Sequence, residues 1–204
     1  MRIDWVPYSA SALVVGAAAL SVGAIVVPQA GLPSSPLRIV EEQPASSLVV
    51  SGLYLLASVS LILGLPAVLS IFDLRGARAA LMGAALFVVG CTGTAAYAVL
   101  LAVYRALSTG DLAVGLQDLA RDPGLSVILY GWVLTFALGE LLLALALVQA
   151  QRVQRWVPWL LVLHAGLSPL APLLPAPVAV VVALLVTIAF AALGIVANQR
   201  TLLS

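Results

Sequence analysis

Lysine is absent from this chain of 204 residues, and charged residues of all kinds make up only 8% of it, against 63% hydrophobic residues. Soluble globular domains carry about 25% charged residues, so this sequence holds too little charge to cover a water-facing surface. The mean hydropathy of +1.19 indicates that lipid solvates most of the chain. A net charge of +1 gives no bulk electrostatic attraction to nucleic acid, and we expect no nucleic-acid partner.

Cysteine and histidine are equally scarce, because Cys91 and His164 are the only residues of their kinds. A single cysteine excludes an intrachain disulfide framework. One histidine and one cysteine do not supply the usual ligands of an all-protein zinc site. No phosphate-binding glycine loop, HExxH or GxSxG motif occurs. The sequence therefore predicts neither a metal site nor a cofactor.

Long apolar runs fill most of the chain, and a transmembrane helix needs about 20 predominantly apolar residues. They predict a single transmembrane domain, 1–204, with an all-α fold: an integral membrane bundle of six transmembrane helices. The predicted spans are 6–27, 48–71, 80–104, 125–149, 157–174 and 177–197. The first run is longer than a signal-peptide core and has no clear cleavage site, so we expect a retained span. The fifth is short and Pro-kinked, since its three prolines favour a kinked or partly re-entrant helix.

Arginine placement predicts the direction of these spans. If the N-terminus is inside, the cytoplasmic segments hold Arg2, Arg75, Arg78, Arg152, Arg155 and Arg200, and the outer loops hold Arg38, Arg105 and Arg121. Basic residues are enriched on the cytoplasmic side of membrane proteins. The excess therefore predicts an N-in/C-in, multi-pass protein of a bacterial cytoplasmic (inner) membrane, surrounded by membrane lipids.

The outer segment 105–124 contains a helical pattern of its own. Leu112, Leu116 and Leu119 recur at helical spacing, and Asp122-Pro123-Gly124 provides a stop. This pattern predicts a short helix on the outer membrane surface. The alternative is a lid over a cavity.

Two stripes of small residues recur at four-residue spacing, the arrangement by which membrane helices approach closely. The stripes are Gly90, Thr94, Ala98 and Ala102 on the third span, and Ala179, Ala183, Thr187 and Ala191 on the sixth. Packing within one protomer is the simpler interpretation. A homodimer face, or contact with another membrane protein, is the alternative.

Glu140 is the only charged residue within 136–148. It precedes the predicted end of the fourth span by nine residues, and at 1.5 Å per residue this places it ~14 Å from that end. His164 lies ~10 Å from the same end on the next, antiparallel span. The two side chains are therefore expected at similar depth near the midplane. Polar residues of other spans predict a wider polar layer there: Ser58, Ser60, Cys91, Thr92 and Thr187.

An acidic group at this depth is costly and normally faces the bundle interior or a wet cavity. A structural role is the simplest hypothesis, in which Glu140 bonds to His164 or to a backbone carbonyl freed by Pro169. The leading functional hypothesis is a non-enzymatic protein that binds a lipid-like or other amphipathic ligand, or a partner membrane subunit, through its helix bundle. Its ligand-binding residues would be Glu140, His164, Tyr97, Phe136, Trp132 and Tyr130.

The alternative is an intramembrane enzyme with Glu140 and His164 as catalytic residues. A buried protonated carboxyl is a competent general acid, and aromatic faces stabilise cations, as acid-triggered isoprenoid cyclisation requires. Such enzymes usually use more than one buried carboxyl, and only one is present here. A proton-coupled transporter is the third hypothesis.

Four features follow one another along the chain: a proline-rich loop after the first span, the turn LRGARAALMGAAL, the outer segment TGDLAVGLQDLARD, and a basic turn leading into WVPWLLVLHAG. In this order the chain resembles a broad group of small, uncharacterised six-span membrane proteins of GC-rich actinobacteria. The resemblance covers most of the chain and implies a six-helix membrane fold. It implies no activity.

Overall fold

The computed structural model describes residues 5–26, 40, 44–73, 75–108 and 122–202. Every regular element in these ranges is helical. The helices are α1 Val6–Val26, α2 Pro44–Leu69, α3 Ala77–Ser108, α4 Pro123–Ala150, α5 Trp156–Leu167 and α6 Ala176–Leu202, with a 3-10 segment, Ser168–Leu173, after α5. The all-helical class predicted from the apolar runs is confirmed.

Five of the helices are long and apolar enough to cross a membrane, which indicates a multi-pass membrane protein. The remaining helix, α5, has only 12 residues. It continues into the 3-10 segment, where Pro169 and Pro172 lack the N–H groups that would extend an α-helical ladder. The break after Leu167 agrees with the predicted effect of prolines in this span.

The helices are apolar on all sides, and the bundle exposes large hydrophobic side chains along its length. Leu63, Leu81 and Val59 are examples, each more than half exposed. A helix that is hydrophobic all round belongs to a large core or to a membrane. In a bundle of this size, the outward side chains are those that lipid would contact.

The six helices form a closed ring in chain order. Each helix packs against the next, α6 returns to α1, and α2 also contacts α6. The larger of two apolar clusters lies within the ring, and the rings of Phe87 on α3 and Phe190 on α6 meet inside it with centroids 5.6 Å apart. The ring places α4 and α5 side by side.

Glycines bring α3 and α4 into backbone contact. A Cβ at Gly139 would lie 2.5 Å from the backbone nitrogen of Phe87, and a Cβ at Gly90 would lie 2.5 Å from Cα of Phe136. Real Cβ atoms do not approach backbone this closely, so only glycine fits at either position. The contact fixes the register of α4 on α3 around Gly139, the residue before Glu140.

A serine joins α1 to α2 at the proline of α2. The Ser9 hydroxyl donates to the Leu63 carbonyl (2.7 Å) and accepts from the N–H of Ala67 (2.9 Å). These two backbone groups are the i and i+4 partners of one helical turn that contains Pro66. The side chain is therefore inserted at the point where the proline interrupts the backbone ladder of α2.

The small-residue stripes lie against helices of this same chain. Gly90 packs on Phe136 of α4, and the Ala98 carbonyl accepts from Ser51 of α2. On α6, the Ala183 carbonyl accepts from Ser21 of α1. Packing within one protomer therefore accounts for these contacts.

Most of the predicted outer helix, 109–121, lies outside the described residues. Asp122, which the sequence suggested as a stop for that helix, has another function in the structure. Its carboxylate accepts from the N–H of Leu125 at 2.8 Å and caps the start of α4, with Pro123 in the first turn.

Candidate functional site

The connection between α4 and α5 places Glu140 and His164 at one level. Gln151 ends α4 in the left-handed conformation (φ 51°), and its N–H donates to the Leu147 carbonyl. Five residues later α5 begins at Trp156 and runs back along α4. Counting back from Ala150 and forward from Trp156 gives depths of ~15 Å and ~12 Å for the two side chains.

The two side chains are in direct contact. Nδ1 of His164 lies 2.7 Å from Oε2 of Glu140, between the two helices. The direction of this hydrogen bond depends on the histidine tautomer. The imidazole N–H donates to a carboxylate, or the carboxylic acid donates to an unprotonated imidazole nitrogen. The contact expected from the depth argument is present, whereas the roles of the two residues as ligands or catalysts remain predictions.

Apolar side chains surround the carboxyl. On α4, Phe136 and Ala144 lie one turn to either side of Glu140, and both are buried in the main core. The Phe136 ring packs on Phe87, with centroids 4.6 Å apart. On α3, the buried Cys91 thiol is close enough to interact electrostatically with Glu140. In such surroundings each polar atom of the pair needs a hydrogen-bond partner within the protein or from a bound molecule.

One carboxyl oxygen has no such partner. Glu140 is fully buried, at 0% exposure. Within the described part of the chain, its Oε1 atom makes no hydrogen bond, although Oε2 is bonded to His164. An unsatisfied buried polar atom costs about 1–3 kcal/mol. Oε2 is therefore bonded, and Oε1 is available to accept a hydrogen bond.

The imidazole side of the pair is the one nearer the surface of the bundle. The His164 side chain is 7% exposed and the Glu140 side chain 0%. Two residues further along α5, a Cβ placed on Gly166 would have no neighbour within 4 Å. Gly166 is exposed and lies about 200° around the helix from His164, so this open space is on the outward face of α5.

The aromatic residues predicted to line a pocket with Glu140 do not gather around it. Only Phe136 lies within one helical turn. Tyr130 is 45% exposed, and Trp132, which packs on Gly93, lies eight residues before Glu140, or ~12 Å along α4. Tyr97 packs on Tyr54 in a separate cluster. The structure does not bring Tyr130, Trp132 and Tyr97 next to Glu140, because they lie further along the helices or face outward, and their role in ligand binding remains a prediction.

The wider polar layer predicted at this depth is also largely absent. Thr92 is exposed and bonds to its own helix, as does Ser58. Ser60 faces α1 next to Gly16, and Thr187 donates to a carbonyl of α1. Of the five residues, only Cys91 shares the surroundings of Glu140. Helix rise gives the position of a residue along its helix but no information on the direction in which its side chain points.

The sequence argument overlooked three residues that position the pair: Gly139, Phe87 and Phe190. Gly139 allows α4 to contact the backbone of α3, and the two phenylalanines fill the ring beside it. The sequence offered one signal, which is that a glycine directly precedes the only acidic residue of the span.

Comparison of the chain with protein-family models, with curated proteins and with solved structures gave no match. The site is therefore interpreted from its own geometry.

Proposed function

We propose that this chain is a non-enzymatic, multi-pass protein of the bacterial cytoplasmic membrane that binds an amphipathic ligand inside its helix bundle. The polar group of the ligand donates a hydrogen bond to Oε1 of Glu140, and its apolar part lies among the helices. The observation that carries the proposal is the buried carboxyl oxygen without a partner in the described residues.

A six-span, N-in/C-in arrangement belongs to the same proposal. The α-helical part of α5 and the 3-10 segment after it together measure ~30 Å at 1.5 and 2.0 Å per residue, close to the thickness of a hydrocarbon layer. Five arginines, Arg75, Arg78, Arg152, Arg155 and Arg200, belong to the end of the bundle assigned to the cytoplasm. A C-terminal GFP fusion should fluoresce, and alkaline phosphatase fused within 109–121 should be active. The reverse pattern would contradict the orientation.

The character of the ligand follows from the charge of the site. Glu140 and His164 are bonded to each other and leave no free counter-ion, and apolar side chains surround them. A charged headgroup would be buried there without a counter-ion, at a cost of several kcal/mol. A neutral donor, such as a hydroxyl on a long apolar chain, bonds to Oε1 without that cost. The ligand class we propose is therefore a lipid-like alcohol.

Entry takes place along α5. The carboxyl is fully buried, so binding requires the helices to separate locally. The α3–α4 contact leaves no space for a ligand, since glycines bring the two backbones together. On the α4–α5 side the buried His164, with a side chain 7% exposed, lies nearer the surface than Glu140 does. A ligand that enters from the lipid on this side meets His164 first and Glu140 behind it.

Native mass spectrometry of the detergent-released protein tests the proposal. Wild type is compared with Glu140→Gln, Glu140→Ala and Thr187→Val, the last being a matched polar substitution elsewhere in the bundle. In Glu140→Gln the amide presents its NH₂ group to the ligand where Nδ1 of His164 donates, and its oxygen where Nδ1 accepts, so this variant reports the direction of the hydrogen bond. We expect wild type and Thr187→Val to retain a bound molecule of one mass, and Glu140→Ala to lose it.

Two results would overturn this function. If no sample retains a ligand and Glu140→Ala is less thermally stable than wild type, the pair serves only to hold α4 and α5 together. If Glu140→Ala retains the ligand as well as wild type does, the ligand does not bind through the carboxyl group.

One observation favours the enzyme as a second candidate. Three phenylalanine rings, Phe87, Phe136 and Phe190, cluster in the core that contains the acid-bearing turn, and aromatic faces stabilise carbocations. The molecule retained by wild type would then be a cyclised isomer of the molecule retained by Glu140→Gln. Chromatography of the extracted ligands separates the two isomers, and an identical ligand in both samples contradicts catalysis.

A further inference from the structure

A cleft opens at the arginine-rich end of the bundle, away from Glu140. It has a volume of about 290 Å³ and is lined by Asp73, Arg75, Ala150 and Arg152. The α2–α3 turn forms one wall and the end of α4 forms the other. Gly76, with φ +77°, allows the turn to lie against the Ala146 carbonyl. The cleft is therefore built by the packing of the turn on α4.

The charges in the cleft are unequal. Two arginines line it against one aspartate, which leaves an excess of one positive charge. Arg152 uses one amino group to bond to Asp73 at 2.6 Å, and its other donors have no partner among the described residues. Arg75 has neither a hydrogen bond nor an ion pair within the described ranges. Most of the guanidinium donors are thus free to bind an anion.

The position of the cleft indicates where that anion would come from. Trp156 and Trp159, at the start of α5, are 45% and 62% exposed at the same end of the bundle. Exposed tryptophans at helix ends are typical of the membrane–water interface, where the phosphate groups of phospholipids lie. Arginine binds phosphate through two parallel N–H···O bonds.

We propose that this cleft binds the phosphate group of an anionic phospholipid, held between Arg75 and Arg152. Asp73 orients Arg152 and weakens the binding of the anion by its own charge. The site rests on the placement of the chain in a membrane, and it is independent of Glu140 and its ligand.

Two other arginines of the same end provide a matched control. Arg78 and Arg155 are exposed and do not line the cleft. The double variant Arg75→Gln/Arg152→Gln and the control Arg78→Gln/Arg155→Gln change the net charge equally. General attraction to anionic lipid would weaken equally in both, whereas a site weakens only in the first.

The experiment titrates the purified protein with short-chain phosphatidylglycerol, with the matching diacylglycerol, and with inorganic phosphate, using native mass spectrometry. We expect phosphatidylglycerol to bind more tightly than diacylglycerol. Affinity should fall on the order of tenfold or more in Arg75→Gln/Arg152→Gln and stay unchanged in the control. Asp73→Asn should bind phosphatidylglycerol more tightly than wild type.

The other outcomes either overturn the proposal or identify the source of the bound anion. Equal loss in the two double variants, or equal binding of diacylglycerol and phosphatidylglycerol, overturns it. If inorganic phosphate binds as tightly as phosphatidylglycerol, the anion site stands and soluble phosphate rather than lipid is its source. Unchanged thermal unfolding of all variants shows that lost binding is not lost folding.

Discussion

Two of the buried polar contacts in this bundle differ in how completely they are satisfied. Between α1 and α6, Ser21 donates to the Ala183 carbonyl, and Thr187 donates to the Ala17 carbonyl at 3.0 Å. The two hydroxyls also lie 2.6 Å apart. Between α4 and α5, Glu140 bonds to His164 through one oxygen and leaves the other without a partner in the described residues.

The comparison separates a polar contact that holds helices together from one suited to binding. A hydroxyl has a single hydrogen, and a neighbouring helix carbonyl is enough to accept it. A carboxyl group has two oxygens, and one imidazole satisfies only one of them. Helix packing thus accounts for the Ser21–Thr187 contact but leaves half of the Glu140 group unexplained. The oxygen left unbonded within the described residues, Oε1, is the reason to propose a ligand.

The largest effect on stability is expected from Glu140→Ala. It removes buried atoms, leaves a cavity, and deprives His164 of its partner, so the free energy of unfolding should fall by about 3 kcal/mol. Glu140→Gln retains the size of the side chain and the bond to His164, and should stay within about 1 kcal/mol of wild type. Thermal and SDS-induced unfolding in detergent measure both. Equal loss in the two variants would mean that charge, not packing and the hydrogen bond, stabilises the pair.

The second-largest effect on stability is expected from Gly139→Ala, because it forces α4 away from α3 beside Glu140. The new Cβ would meet the Phe87 backbone, so we expect a loss of about 1–3 kcal/mol. Gly131→Ala on the same helix is the control, since nothing lies within 4 Å of its Cβ. It should be neutral or stabilising. If both variants unfold alike, the close contact of α3 and α4 is not what positions the carboxyl.

A smaller effect is expected at the second polar contact. Ser21→Ala and Thr187→Val should each cost about 1 kcal/mol or less, and neither should alter ligand retention. A double-mutant cycle in the same unfolding assay should show coupling between them. Loss of the ligand in either variant would contradict the distinction between the two polar contacts.

The smallest effect is expected for the ion pair of Asp73 and Arg152, whose side chains are 61% and 52% exposed. Water screens an exposed pair, so Arg152→Gln should change the free energy of unfolding by less than about 0.5 kcal/mol. A larger change in the thermal unfolding of the variant would show that the α2–α3 turn depends on this contact.

Several structural features could be derived from the sequence because the bilayer imposes strict conditions. Backbone groups in lipid must be satisfied within a helix, so long apolar runs predicted helices close to those observed. The constant rise of a helix and the short connection between α4 and α5 predicted that Glu140 and His164 lie at one depth. Their contact in the structure agrees with that argument.

The direction in which each side chain points could not be derived in this way. An amphipathic helix shows its inward face through its polar stripe, but these helices are apolar on every side. For that reason Thr92 and Tyr130 were assigned to the interior and lie on the outside, while Phe190 was not recognised as a core residue.

The sequence by itself determined that the chain forms apolar helices, where those helices run, and that Glu140 and His164 lie at one level on neighbouring helices. Only the tertiary structure decided which residues meet that acid, because in apolar helices the rotation of each helix depends on packing. At α3 and α4 that packing is set by Gly90 and Gly139, which allow contact in a single register.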